Sequence, residues 1–332
     1  MTASVHSVAQ VMAGPTGHRG WRARLTAWRV PLSILVLCLL PWVLPSQALA
    51  VNVLIYGLLA VGYNLLFGYT GLLSFGHAAF FGAGAYAAGI GISRFGLPWF
   101  AAIPFGMLVG GALAFAVGLL SIRTRGIYFS MVTLALAQLV YYAALQSSSI
   151  TGGENGLRGF TVSRIELFGW SVDFLDPIKK YYVLMVFAAA ALWLVSRVLA
   201  SPFGAVIEAI RENETRARAC GYDVERTKVM AFTLSGLVCA LAGTLFALHL
   251  AIVPLDTLGI QTSGMIVMMT LLGGAGSFFG PFVGALAFLL MEDVVALWTP
   301  HWQIVVGTVF ILFVLFLPKG IWGTLLAWRV GR

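Results

Sequence analysis

From about residue 30 onward the chain is a succession of apolar runs, each roughly 17 to 25 residues long and separated by short stretches of turn residues and charge. Runs of that length leave few folding options. A helix rises about 1.5 Å per residue, so about 20 apolar residues cross the roughly 30 Å hydrocarbon core of a bilayer. No water is available there to satisfy the backbone, and each run must close its own hydrogen bonds as a helix. Composition agrees: 60% of residues are hydrophobic and 10% charged, with mean hydropathy +0.94. A water-soluble domain carries about 25% charge. A soluble enzyme, a disordered tail and a disulfide-stapled secreted module are thereby set aside.

The runs predict an all-α polytopic membrane protein with about ten transmembrane helices, near 30–48, 51–68, 73–92, 97–120, 126–145, 180–200, 229–250, 260–274, 277–298 and 302–318. The eighth is short and ends in Gly273, Gly274, Ala275 and Gly276, a run that reads as a tight turn or a broken helix. The implied layout is a tail over 1–29, a transmembrane domain over 30–325 and a tail over 326–332, with an outer loop at 146–179 and a cytoplasmic loop at 201–228.

Charge placement sets the orientation, because cytoplasmic loops concentrate Lys and Arg. The formal net charge is +8, with twenty basic residues. Four (Arg19, Arg22, Arg24, Arg29) precede the first run, and two (Arg123, Arg125) lie in the 121–126 turn. Six (Arg197, Arg211, Arg216, Arg218, Arg226, Lys228) lie at 197–228, and three (Lys319, Arg329, Arg332) close the chain. With ten spans these four regions share one side, so both termini are expected in the cytoplasm. The other side receives five basic and seven acidic residues. A competing reading takes Arg19–Arg29, the apolar run and Ala48-Leu49-Ala50 as a cleavable signal peptide. Against it stand the long basic region and the prolines Pro41 and Pro45 within the run.

Other chemistries lack their residues. Cys38, Cys220 and Cys239 form no C-x-x-C pair, and two of them lie in apolar runs; no metal site is expected. No basic stripe interleaved with aromatics lies outside the spans, which argues against nucleic acid. A G-x-x-x-x-G-K-[ST] phosphate loop is absent, so the chain is expected to bind no nucleotide by that route. No carboxylate pair, Cys/His couple or Ser/His/Asp set stands out for catalysis. Within the spans, His77 reads as a packing residue or a proton relay, His249 as interfacial, and Glu292-Asp293 as an outer headgroup pair or a coupling site. Asn64, Gln138 and Gln261 either line a path or bond between helices.

Thirty-eight glycines exceed what helix caps require, and small residues let helix backbones approach in lipid. Gly106 and Gly110 are four apart; Gly276, Gly280 and Gly284 recur every four residues and are expected to share one helix face. Each motif is tight packing or a hinge. Two Gly-interrupted segments, Gly71–Gly82 (with Ser74, Gly76 and His77) and Gly276–Gly284, fall in opposite halves, the texture of a substrate path in transporters.

Residues 201–221 differ from everything around them. Ser201 can cap a helix with Pro202 in its first turn, and Gly221 can end it in the left-handed conformation. Glu212/Arg216 and Glu214/Arg218 are spaced i,i+4. The expectation is a cytosolic helix or helix pair. Its apolar patch of Val206, Ile207 and Ile210 rests either on a soluble partner or on its own bundle.

Four ordered stretches carry a family resemblance: Gly68–Tyr86 (GYTGLLSFGHAAFFGAGAY), Thr151–Gly156 (TGGENG), Ala209–Glu214 (AIRENE) and Leu272–Pro281 (LGGAGSFFGP). Together they resemble the branched-chain amino acid ABC transporter permeases, the longer of the two paired permease subunits, over about residues 30 to 325. The resemblance implies an ATP-driven importer of the inner membrane. A periplasmic binding protein delivers the amino acid, two different permeases form the path, and two cytoplasmic subunits use ATP and Mg. It also implies that Glu208 to Gly221, with Glu208, Ala209, Ile210, Arg211, Glu212 and Asn213, occupy the place of the helix that couples permease to ATPase. Of the importer pattern E-A-A, a later glycine and I-x-L-P, only Glu208-Ala209 match. Glu208→Lys or Arg211→Glu is therefore expected to weaken ATPase association without preventing insertion. Gly71, Ser74, Gly76, His77, Gly273, Gly274, Gly276 and Gly280 are the candidates for the path or its hinge. The alternatives are a permease for urea or short amides in the same machinery, and a secondary carrier or channel working alone.

Overall fold

The computed structural model describes residues 31, 33–160, 165–167, 170–172, 176–317 and 320–330. The 1–29 tail with its four arginines lies outside the described residues, as do Arg164, Asp173, Lys319 and Arg332.

Ten helices fall on the ten predicted runs: α1 Ser33–Val43, α2 Gln47–Thr70, α3 His77–Phe95, α4 Trp99–Ser121, α5 Ile127–Gln146, α6 Pro177–Ala200, then after two short helices α9 Val224–Leu250, α10 Ile260–Gly273, α11 Gly280–Trp298 and α12 Trp302–Phe316. The intervening pair is α7 Pro202–Glu212 and α8 Glu214–Ala219; α13 Gly320–Val330 ends the described chain and carries helix into the 326–332 tail. Among the described residues, seven stretches are long and apolar enough to cross a membrane: α2, α4, α5, α6, α9, α11 and Trp302–Leu325. The other three runs differ for physical reasons. α1 stops at Val43, ahead of Pro45, because the residue before a proline is pushed out of the helical region. Ser46 then caps α2, its hydroxyl accepting from the Leu49 N–H at 3.0 Å. The break thus falls at 44–46, not at the predicted 49–50, and Leu49 and Ala50 of the signal-like tripeptide are buried in the first turn of α2. α3 has the length but is rich in glycine and alanine. The 14 residues of α10 span about 21 Å.

At the centre α9 packs against α2, α3 and α4, with α10 and α11 on the flank of α2. Backbone contact replaces side-chain interdigitation here. A Cβ on Gly243 of α9 would run into the carbonyl of Phe81 in α3, and Gly106 and Gly110 of α4 face Thr244 and Ala240 of α9. These two are packing glycines. Gly280 and Gly284 of α11 likewise face α10, but Gly276 does not share their face: it sits in the preceding turn with φ +80°, next to Gly274 at φ +110°. Positive φ is where glycine escapes the Cβ clash, so the run 273–276 ends one helix instead of extending the next.

Contacts sort the connections onto two ends of the bundle. On one, Arg125 of the 121–126 turn lies 3.9 Å from Glu214, and Gly320 abuts Gly274. On the other, Leu157 of the 146–176 loop pairs with Val253 beyond α9, and Lys180 Nζ donates to the His249 carbonyl at 3.2 Å. That second loop holds a small departure from helix in an all-α fold. It carries a small antiparallel pair, β1 Ile165–Leu167 and β2 Trp170–Val172, with Leu167 opposite Trp170. Bulky, β-prone side chains in a short alternating run outside the spans favour strand.

Candidate functional site

The first end of the bundle is built around an unwound turn, residues 71–76, between α2 and α3. Gly71 closes α2 at φ +79°, its N–H donating to the Phe67 carbonyl at 3.1 Å. A non-helical segment within a bundle must find partners for its backbone groups, and two helices supply them for the turn and the start of α3. Ser130 of α5 donates to the Leu73 carbonyl at 2.6 Å, and Thr133 of α5 accepts from the Phe75 N–H at 3.3 Å. Ser263 of α10 accepts from the Ala78 N–H at 3.2 Å. Ser74 accepts from the Gly76 N–H at 3.2 Å, and Gly76 presses on the Thr133 carbonyl.

His77, fully buried, opens α3 within this clasp. Its Nδ1 lies 3.2 Å from Ser74 Oγ and its Nε2 2.9 Å from Ser235 Oγ of α9, while Ser235 donates to the Gly62 carbonyl at 2.6 Å. Ser235 has one proton and spends it on Gly62, so it accepts from Nε2–H. Ser74 then donates to Nδ1. The neutral ring satisfies every partner, edge-on to Tyr63 at 4.9 Å and to Phe80 at 5.4 Å. Of the two readings of His77, this geometry matches the packing residue.

Asn64 of α2 is 1% exposed and clips the α10–α11 turn. Its Oδ1 accepts from the Gly276 N–H at 2.9 Å and its Nδ2 donates to the Ser277 carbonyl at 2.9 Å. Asn64 is therefore an interhelical bond; Gln138 is half-buried and Gln261 exposed. Gly273 and Gly280 meet backbone to backbone, and Gly274 lies under Gly320.

Across this end lies α7. Ser201 is its N-cap residue and Pro202 its first residue, as the spacing predicts, but the Ser201 hydroxyl donates backward to the Val198 carbonyl at 2.6 Å. Ile207 is buried in the main core, and Ile210, 4% exposed, packs with Val206, Ala217 and Val224. The apolar patch thus rests on the chain's own bundle, and Ile210 offers nothing outward. Glu208, Ala209 and Glu212 are exposed. Asn213 leaves the helical region at φ −158° and caps α8 by accepting from the Arg216 N–H at 2.9 Å. Glu212 and Arg216 consequently sit on different helices and lose their i,i+4 relation. Glu214/Arg218 keep theirs, at 3.4 Å. Gly221, at φ +86°, turns the chain out of α8.

Two arrangements escape sequence reasoning. Glu214 gathers Lys228 at 2.7 Å, Arg218 and Arg125; the hydrogen bond from Lys228, more than any other contact, holds its carboxyl below the usual carboxylate range. Arg211 reaches back from α7: its Nη1 donates to the Gly68 carbonyl, its Cγ lies 3.1 Å from where a Gly71 Cβ would stand, and Nη1 2.8 Å from that of Gly276. Three stretches that the sequence shows as separate motifs, 68–86, 209–214 and 272–281, meet at this side chain. The available sequence signal was polar residues on apolar helices: Ser130, Thr133, Ser235 and Ser263.

A bundle of apolar helices with an unwound, hydroxyl-clasped turn and an amphipathic helix laid across one end defines a multi-pass membrane permease. Residues 47–315 match the family described as "Branched-chain amino acid transport system / permease component", and the chain belongs to that family. It is 29% identical over 295 residues to the high-affinity branched-chain amino acid transport system permease protein LivM of Salmonella typhimurium, covering 83% of this chain and 69% of the relative. Identity to LivM of Escherichia coli is 29% over 292 residues, with 82% and 69% covered. The probable LivM of Methanocaldococcus jannaschii is 23% identical over 275 residues, with 72% and 77% covered. No solved structure matches. The relatives are transport permease proteins, not enzymes.

Proposed function

We propose that this chain is one of two paired permeases in an ATP-driven importer that moves branched-chain or related amino acids across the inner membrane. Ten helices cross the bilayer, both termini lie in the cytoplasm, and a periplasmic binding protein delivers the substrate. The chain takes no nucleotide or metal of its own; two cytoplasmic subunits use ATP and Mg. Besides family membership, one observation carries the reading. An eleven-residue amphipathic helix, α7, is seated by Ile207 and Ile210 on the end of the bundle where basic loops gather, and turns Glu208, Ala209 and Glu212 to solvent. A polar, well-anchored helix at that end suits docking of a soluble partner.

The test is reconstitution of both permeases with the ATPase subunits and the binding protein in liposomes. ATP-dependent uptake of leucine, isoleucine or valine is expected, and uptake by this chain alone down an ion gradient would sink the proposal. Uptake of urea or a short amide in place of the amino acids would move the substrate assignment within the same machinery. Glu208→Lys reverses a charge on the exposed face of α7 without touching its anchors. Co-purification of the ATPase subunits is expected to fall at least about tenfold, the effect of about 1.4 kcal/mol, while membrane yield is retained.

A further inference from the structure

Family membership does not say how movement of α7 would reach the rest of the bundle, and the contacts of Arg211 answer that. Gly68 lies in the last turn of α2, where carbonyls lack intrahelical partners and the helix dipole presents its negative end. Arg211 Nη1 donates to the Gly68 carbonyl. Room for its side chain comes from two glycines held at positive φ, Gly71 at +79° and Gly276 at +80°. An alanine at either position would crowd it, at Cγ on one side and at Nη1 on the other. One turn before Gly68, on the same helix, Asn64 holds Gly276 and Ser277 through both ends of its carboxamide. A single turn of α2 is thus tied to α7 by Arg211 and to the α10–α11 connection by Asn64. One turn before Arg211 on α7, Glu208 is exposed to solvent.

We infer that Arg211 is the positioning residue that transmits displacement of α7 to the C-terminus of α2 and the α10–α11 turn. The inference rests on the coupling role proposed above. The guanidinium is a rigid fork of five donors and the Arg211 side chain is packed against Gly71 and Gly276, so it moves with its helix and takes its acceptor along. Both attachment points lie where helices are interrupted, and there a small shift changes which carbonyls are paired without breaking a continuous ladder. The Arg211 guanidinium therefore serves the bundle, and docking of the ATPase falls to Glu208, Ala209 and Glu212.

Two readouts test this. In the reconstituted complex, Arg211→Ala is expected to lower the amount of solute moved per ATP hydrolysed at least tenfold. Arg211→Lys, which keeps a cationic donor, restores part of that ratio. Gly276→Ala strains its positive-φ turn and also crowds the guanidinium, so the loss it causes with Arg211 present is expected to exceed the loss it causes when added to Arg211→Ala, the non-additive pattern of residues acting through one contact. An unchanged ratio in Arg211→Ala, or a fall explained wholly by lost ATPase co-purification, overturns the inference. The second readout needs no transport. Hydrogen exchange of the Leu72 and Gly276 amides in the purified permease is expected to rise about tenfold in Arg211→Ala, in two segments far apart in sequence. Unchanged exchange there refutes the link; failure of ATP-driven uptake by the wild-type complex refutes the coupling role instead.

Discussion

At the scale of single residues, what holds the first end of the bundle together is side chains satisfying backbone groups that helices left open. Asn64 is the clearest case, since its carboxamide copies a backbone strand, one acceptor and one donor against Gly276 and Ser277. Asn64→Leu keeps the volume but leaves the half-buried Gly276 N–H and Ser277 carbonyl unpaired, a loss of about 1–3 kcal/mol. At about 2–4 °C per kcal/mol for a chain somewhat smaller than this one, thermal unfolding in detergent is expected several degrees lower; an unchanged midpoint would mean that water fills the role. Glu214 makes a prediction of another kind. Its carboxyl is held below the ordinary value of 4.5, first by the Lys228 hydrogen bond. A group with a depressed folded pKa adds stability that is fully present above the unfolded value and vanishes as pH falls through the folded one. Exchange protection of α8 is therefore expected to stay level from pH 8 to about 5 and to drop only below the ordinary carboxylate range. In Glu214→Gln the same protection should be lower and flat with pH.

Elements show where glycine works and where it is idle. In α11, a Cβ on Gly280 would stand 2.5 Å from the Gly274 carbonyl and 2.8 Å from that of Gly273. Gly280→Leu must separate α10 from α11, because backbone cannot rotate out of the way, and a sharp fall in folded yield is expected in a fluorescence-detected size-exclusion profile. Gly307 on α12 meets nothing within 4 Å, so Gly307→Ala should fold at wild-type yield; equal behaviour of the two variants would contradict the packing account. The same contrast explains what the sequence could reveal. Helix positions were readable because apolar length and turn residues are local properties, and α4, α5 and α9 start and stop within a few residues of expectation. The α1–α2 break went astray because Pro45 and Ser46 outweigh an apolar run that continues through them. Gly276 was misplaced since a four-residue spacing looks alike inside a helix and across its end. The Arg211 contact had no signature at all, because its acceptor is a main-chain carbonyl and every residue has one.

For the whole molecule, the question is whether its two structurally distinct ends correspond to two compartments. One end carries α7, α8, the 121–126 turn and the α10–α11 turn; the other carries the 146–176 loop and the 251–259 segment. Among the described residues, Arg123, Arg125, Arg197, Arg211, Arg216, Arg218, Arg226 and Lys228 belong to the connections of the first end or the helix turns beside them, a bias that cytoplasmic loops display because translocating Lys and Arg is costly. The native cysteines make this measurable without engineering. Cys220 is exposed in the turn after α8, Cys239 is buried in α9, and Cys38 lies half-buried in apolar α1, where lipid rather than water would meet it. A membrane-impermeant maleimide is expected to label the chain in inverted vesicles and to leave it unlabelled in intact spheroplasts, with Cys220→Ser abolishing the signal. Labelling from the periplasmic face would turn the bundle over. It would place α7 out of reach of any cytoplasmic ATPase and remove the coupling role together with the orientation.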